Sequence, residues 1–174
     1  YKDLSLLGTT LPCLAIIELP QNPPQIDFNQ DTLILENVQD PGNVGTLLRS
    51  AAAANIKQVL CTQGSASLWA PRVLRAGMGA HFSLSCYENI VLQEILPHFK
   101  IPVYVTSSHR STSLYSKDLN QACVWILGNE GQGASDYALK HAQAVTIPQP
   151  GGQESLNVAI AGSICLIEMV RQRQ

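Results

Sequence analysis

Two glycine-rich segments carry the residue types best suited to chemistry. One apolar run ends at Leu127 and leads into Gly128-Asn129-Glu130-Gly131-Gln132-Gly133. Another leads into Ile147-Pro148-Gln149-Pro150-Gly151-Gly152-Gln153-Glu154-Ser155-Leu156-Asn157, which opens a long apolar stretch. Glycine lets the main chain approach a ligand closely and reach positive φ, so such loops offer bare amides and carbonyls to a polar small molecule. The first segment has neither dinucleotide G-x-G-x-x-G spacing nor the Lys-Ser/Thr of a P-loop. As a turn without ligand it would leave Glu130 as a surface carboxylate or a helix-start charge. Ser155 and Asn157 suit a helix cap. Ser155 lacks a G-x-S-x-G elbow and an evident His base, which argues against a nucleophile.

Asp40-Pro41-Gly42-Asn43 sits between a strand-like run and a helical pattern carrying Arg49. Asp and Asn cap helices while Pro and Gly shape turns, so a turn with a cap accounts for the segment by itself. Arg49, about a turn and a half into that helix, is either a solvated or salt-bridged residue or one placed at the strand edge where ligands of open α/β sheets gather. Arg72 and Arg75, followed by Gly77-Met78-Gly79-Ala80-His81, form a small basic element suited to a phosphate or to a solvated helix end. Ser107 to Ser113 is a polar loop after a strand. The histidines (His81, His98, His109, His141) lack metal-ligand spacing, so no metal is expected.

These residues need a scaffold. The chain has 174 residues, 45% hydrophobic and 14% charged, which predicts one domain with a real core and argues against disorder. The low charge suggests further burial in an oligomer. A net charge of −2 gives no global sign of nucleic-acid binding, so RNA would need a local patch or a further segment. No membrane-length apolar run and no signal-like start are present, and five cysteines without a CxxC pair read as reduced core thiols; a cytoplasmic protein is expected.

Strands are expected at Leu14–Glu18, Thr32–Glu36, Gln58–Cys61, Phe82–Cys86, Val103–Thr106, Cys123–Leu127 and Ala144–Ile147. Helices are expected at Val44–Asn55, Ala70–Ala76, Ile90–His98, Ala134–His141 and Leu156–Arg171. Strands apolar nearly throughout, alternating with helices, predict an open α/β parallel sheet covered on both faces. Pro20-Gln21-Asn22-Pro23-Pro24 reads as a connector. Val44, Leu47, Leu48, Ala51 and Asn55 form a stripe toward the sheet, while Gly45, Ala52 and Ala53 would let another helix approach and leave Arg49 projecting. The last helix is apolar almost all round and needs a second partner, which favours a dimer.

Three segments in order resemble the SpoU (TrmH-like) branch of the SPOUT RNA 2′-O-ribose methyltransferases: Asn37–Ala54 with its Asp-Pro-Gly-Asn-Val-Gly…Arg, Ile126–Gly131, and Ile147–Pro148 through Ser155–Ala159. The resemblance covers about Leu14 to the end. It implies a methyltransferase domain over 31–174, a parallel sheet whose C-terminal segment threads a deep trefoil knot. Residues 1–30 then read as a lead or linker, either that of a compact relative or the remnant of a missing RNA-binding domain. It also implies a homodimer through the Val44–Asn55 and Leu156–Val170 helices, with no membrane association. S-adenosyl-L-methionine (AdoMet) would be the methyl donor and a ribose 2′-OH of tRNA or rRNA the acceptor. Carried onto this chain, the donor loops would use Thr106, Ser107, Leu127, Gly128, Asn129, Gly131, Ile147, Pro148, Ser155, Leu156 and Asn157. The catalytic group would be Arg49, Asn43, Glu130, Ser155 and Asn157, with Arg49, Arg72 and Arg75 on the RNA. Guanidinium keeps its proton in proteins, so Arg49 suits holding a phosphate and an incipient alkoxide better than acting as a base. Gln149, Ala159 and Gly77 stand where relatives often have Met, Ser and Ser. A catalytically silent RNA-binding or assembly module of the same fold is the rival reading, and an ordinary doubly wound nucleotide-binding enzyme is a third.

Overall fold

The computed structural model describes Ile16, Glu18 and residues 25–108, 112–152 and 155–174. Six parallel strands form one sheet in the order β3-β2-β1-β5-β4-β6. They are β1 (Thr32–Leu35), β2 (Gln58–Thr62), β3 (Ser85–Ile90), β4 (Val103–Thr106), β5 (Val124–Leu127) and β6 (Gln143–Val145). The two central strands, β1 and β5, are in register from Thr32 opposite Val124 to Leu35 opposite Leu127.

Side chains alternate across a pleated strand, so fully apolar strands feed two cores at once. Leu33, Leu35, Trp125 and Leu127 enter one cluster with α1 (Pro41–Ala53), α2 (Pro71–Gly77) and α5 (Val158–Gln172). Ile34, Leu60, Val124 and Ile126 enter the other with α3 (Leu92–Ile95) and α4 (Asp136–His141). No helix among the described residues is long and apolar enough to cross a membrane.

Capping chemistry moves the expected boundaries. The first helix begins at Pro41 rather than Val44, because the Asp40 carboxylate accepts the Asn43 N–H at 2.8 Å and Pro41 tolerates the first turn. It ends at Ala53. Asn55, expected on the buried stripe, is an exposed left-handed residue with a φ of 61°, and the Ile56 N–H closes back on Ala51 O at 3.0 Å. The last helix likewise starts at Val158, with the Asn157 side chain accepting from Ala159 N–H (2.9 Å) and Ile160 N–H (3.2 Å).

Two expectations between β2 and β4 fail. Phe82 lies in a 3-10 turn (Ala80–Ser83), not a strand, because Met78 and Gly79 adopt left-handed φ of 48° and 85° and break the chain there. Pairing begins only at Ser85 opposite Gln58. The strand then takes up Ile90, so the helix expected at Ile90–His98 shrinks to α3 followed by a 3-10 turn (Leu96–His98), where Pro97 interrupts α-type bonding. Ile147 likewise lies beyond β6, which stops at Val145, and Ala134 precedes α4. Of Leu14–Glu18 only Ile16 and Glu18 are described, neither in a strand. Cys13, the connector 20–24, His109 in the polar loop and Gln153-Glu154 lie outside the described residues.

The helix that approaches Gly45 is α2 of the same chain. A Cβ on Gly45 would meet the Ala76 Cβ at 2.4 Å and the Val73 carbonyl oxygen at 2.7 Å. On the other flank of α1, Ser50 and Ser163 hydroxyls are 2.7 Å apart, tying α1 to α5. Cys61, Cys86, Cys123 and Cys165 are free thiols. Burial pushes all four up, Cys86 to about 11 and Cys123 and Cys165 to about 12, so they stay protonated and unreactive near neutrality.

Candidate functional site

Loops at the C-terminal ends of β4, β5 and β6 enclose a cleft of about 320 Å³. That is the edge where open α/β sheets receive ligands, and the size lies within the roughly 300–1,000 Å³ usual for small-molecule sites. Thr106, Ser107, Gly128, Asn129, Glu130, Gly131, Ile147, Ser155 and Leu156, all expected from sequence, line it.

Local chemistry fixes each wall. Asn129 pins the glycine loop: its Oδ1 accepts from Gly131 N–H (2.9 Å) and Gln132 N–H (3.0 Å), and its Nδ2 donates to Asn37 O (2.9 Å). Asn129 and Gly133 also exchange both backbone hydrogen bonds, at 3.0 and 2.9 Å. Gly128 is required for close packing, since a Cβ there would stand 2.2 Å from Ala134 N and 2.4 Å from Gly133 C. On the other side the Ser107 N–H donates to Val145 O (2.9 Å) and the Thr146 N–H to Thr112 O (2.8 Å). These bonds hold the polar loop against the end of β6.

Behind the glycine loop three expected residues form one network. Glu130 accepts from Gln39 N–H (3.3 Å), Asp40 N–H (3.2 Å) and the Asn43 amide (3.1 Å). The Asn43 Oδ1 in turn accepts from Asn157 Nδ2 at 3.0 Å. The start of α1, the loop after β5 and the start of α5 are therefore joined by side chains far apart in sequence. Burial pushes the Glu130 carboxyl up. The bonds from Asn43, its own backbone, Asp40 and Gln39 outweigh that and hold it below the usual carboxylate range. Glu130 thus organises amides and does not pair with Arg49.

Arg49 is exposed and makes no hydrogen bond or ion pair among the described residues. It does not line the cleft. Leu127, Pro148 and Asn157, expected at the donor, also fall outside the lining. Leu127 turns instead toward α5, where a Cβ on Gly162 would meet its Cδ1 at 2.4 Å; Pro148 is exposed, and Asn157 caps α5. Arg72 and Arg75 are exposed on α2, away from the lining.

Sequence reasoning did not single out the apolar floor formed by Leu139, Val145, Val158 and Ala161. Its signal was present in elements already expected, with Leu139 in α4, Val145 at the end of β6, and Val158 and Ala161 in the first turn of α5. Gln149 lines the cleft too, and its Oε1 is buried with no hydrogen-bond partner. No group of three or more His, Cys, Asp or Glu among the described residues is placed to hold a metal.

Residues 31–167 match the SpoU rRNA Methylase family. A 23S rRNA (guanosine-2′-O-)-methyltransferase, RlmB, of Xanthomonas campestris is 36% identical over 145 residues, covering 81% of this chain and 58% of that protein. Among solved structures, a putative TrmH-family RNA methyltransferase from Porphyromonas gingivalis superposes with a TM-score of 0.81 at 36% identity, over 87% of this chain and 63% of that one. The SpoU methyltransferase AviRb from Streptomyces viridochromogenes, solved with AdoMet, gives 0.78 at 26% identity, over 85% of this chain and 62% of that one. The chain spans about half the length of the first curated relatives it matches, 53% and 46%. With the three motif segments gathered at one sheet edge, the family match, the identities and the superpositions agree: the chain belongs to the SpoU rRNA methylase family.

Proposed function

We propose that this chain is the catalytic unit of an AdoMet-dependent methyltransferase acting on a ribose 2′-OH of tRNA or rRNA. The observation that carries the reading is the cleft itself: three loops at one sheet edge, one of them locked to the starts of α1 and α5 through Glu130, Asn43 and Asn157.

The cleft fits the donor chemically. Leu139, Val145, Ile147, Leu156 and Val158 supply apolar surface for an adenine ring. The unpartnered Gln149 Oε1 offers an acceptor to a ligand N–H, and Ser107, Ser155 and the glycine loop supply polar contacts. When bound, AdoMet supplies a methyl group activated by its sulfonium. The chain's own residues must orient the hydroxyl, hold the neighbouring phosphate and stabilise negative charge as the proton leaves. Arg49, always protonated and here free of carboxylates, suits the last two tasks. Glu130 is a positioning residue, its oxygens already occupied by three N–H groups. Ser155 at the cleft and Asn43 beside it complete the polar set.

Arg49 lies outside its own chain's cleft lining. This supports a homodimer on the α1–α5 face, where Ile160 and Ile167 are 52% and 54% exposed on a helix otherwise packed in the core. A second copy there would cover both and bring a guanidinium toward a cleft. The all-parallel strand order, with β6 at the edge and α5 returning to pack on β5 and α1, supports the family's trefoil knot. Buried, protonated thiols suit the reducing cytoplasm.

The test is methyl transfer from labelled AdoMet to rRNA and tRNA pools, followed by mapping of 2′-O-methyl positions. The reading expects ribose methylation that Arg49→Ala abolishes. Donor binding without transfer to any RNA would favour the silent RNA-binding module.

A further inference from the structure

The charge of this chain is unevenly distributed. Residues 41–87 contain Arg49, Lys57, Arg72 and Arg75 and not one of the thirteen Asp and Glu residues, in a chain whose net charge is −2. This carboxylate-free segment includes α2 and the 3-10 turn that follows it. There Phe82 is 97% exposed, Met78 72% and Leu74 38%. Arg72 and Arg75 are exposed on the same short helix.

Three exposed apolar side chains within nine residues, in the same segment as two exposed arginines, are the composition of an interaction surface. The turn is held firmly. Left-handed Met78 and Gly79 set its direction, the His81 ring packs on Trp69 with centroids 5.1 Å apart, and His81 Nε2 is 2.7 Å from Leu68 O. Phe82 is therefore presented on a rigid turn. Its place relative to the site is fixed by Gly45, whose contacts with Ala76 and Gly77 bring the end of α2 against the first turns of α1. Asn43, in the Glu130 network, is two residues before Gly45; Arg49 is one helical turn after it, on the same face.

We propose that α2 and its following turn form a platform for single-stranded RNA, with the Phe82 ring stacking on an unpaired base and Arg72 and Arg75 holding flanking phosphates. This rests on the functional reading above and extends it by naming the form of RNA and an aromatic contact. The chemistry is that of sequence-tolerant strand binding, in which bases stack on aromatic faces while cations follow the backbone. Arg72 and Arg75 make no ion pair among the described residues, and Glu88, the carboxylate that touches this segment, is engaged by the Leu68 N–H at 2.7 Å, so the two guanidiniums remain available to phosphate.

The experiment is fluorescence anisotropy with a labelled mixed-sequence single-stranded RNA and the matching duplex, over a series of salt concentrations. AdoMet binding by calorimetry is run in parallel. Phe82→Ala is expected to weaken single-strand binding about tenfold with an unchanged salt slope, and Phe82→Trp to retain it. Arg72→Gln with Arg75→Gln should flatten the slope of log affinity against log salt by roughly 0.7 for each phosphate no longer held. All variants should bind AdoMet as the parent does. Single-strand affinity unaltered by Phe82→Ala, a preference for the duplex, or a change of sedimentation state with Phe82→Ala would overturn the platform. A parent chain that fails to bind AdoMet would instead overturn the functional reading.

Discussion

The two ends of α5 are anchored by opposite chemistry. At its C-terminus Arg173 reaches back to the start of β1, its Nη1 2.6 Å from Asp31 Oδ2, and its Nε donates to Leu119 O at 2.7 Å. Asp31 also accepts the Cys123 N–H at 2.9 Å, so cation and carboxylate neutralise each other at the N-terminal sheet edge. At the N-terminus of α5 the nearby carboxylate, Glu130, is satisfied by neutral N–H groups, and Arg49 is left unpaired. One edge uses its charges to hold the fold. The other leaves Arg49 without an ion pair among the described residues, as the proposed contact with RNA requires.

The sharpest break of this comparison is Gly128→Ala. Its Cβ would meet backbone at 2.2–2.5 Å, which no side-chain rotation relieves. Thermal and denaturant unfolding should show a loss of about 3 kcal/mol or more, with donor binding gone. Arg49→Ala should do the reverse. Methyl transfer is expected to fall at least about 100-fold while the unfolding midpoint and AdoMet affinity hold, because the side chain supports nothing in the fold. An Arg49→Ala protein that unfolds early would erase the contrast between the two edges.

At the opposite edge, Arg173→Ala should cost about 1–3 kcal/mol of stability by leaving Asp31 without its cation and Leu119 O without a donor, and leave donor affinity untouched. Glu130→Ala should cost about 1–2 kcal/mol by freeing the Gln39 and Asp40 amides, and should weaken donor binding as the glycine loop loosens. Acid should reproduce this loss. The Glu130 carboxyl sits below its ordinary value, so its contribution is complete above about pH 4.3, the unperturbed carboxylate range, and disappears as pH falls further. Unfolding of parent and Glu130→Ala proteins followed from pH 7 to pH 3 should converge at the acid end.

Much of this was legible in residues alone, and unevenly so. β4 was readable to the residue and β1 and β5 to within one, because a strand buried on both faces shows as an unbroken apolar run. The glycine loops and most cleft residues were legible because glycine demands closeness and capping residues recur at helix starts. The region from Phe82 to His98 was not, since an exposed Phe in a 3-10 turn mimics a strand in composition, and a proline ended the helical pattern. Spacing left open whether Glu130 would hold Arg49 or neighbouring amides; the choice of the Gln39, Asp40 and Asn43 amides is set by how three loops meet in space.

The most direct measurement is a crystal structure of this chain with S-adenosylhomocysteine, the demethylated donor. The account predicts the ligand between residues 128–134 and 145–156, with one of its N–H groups donating to Gln149 Oε1. Well-ordered ligand bound elsewhere, or saturating ligand with the cleft unchanged, would contradict it.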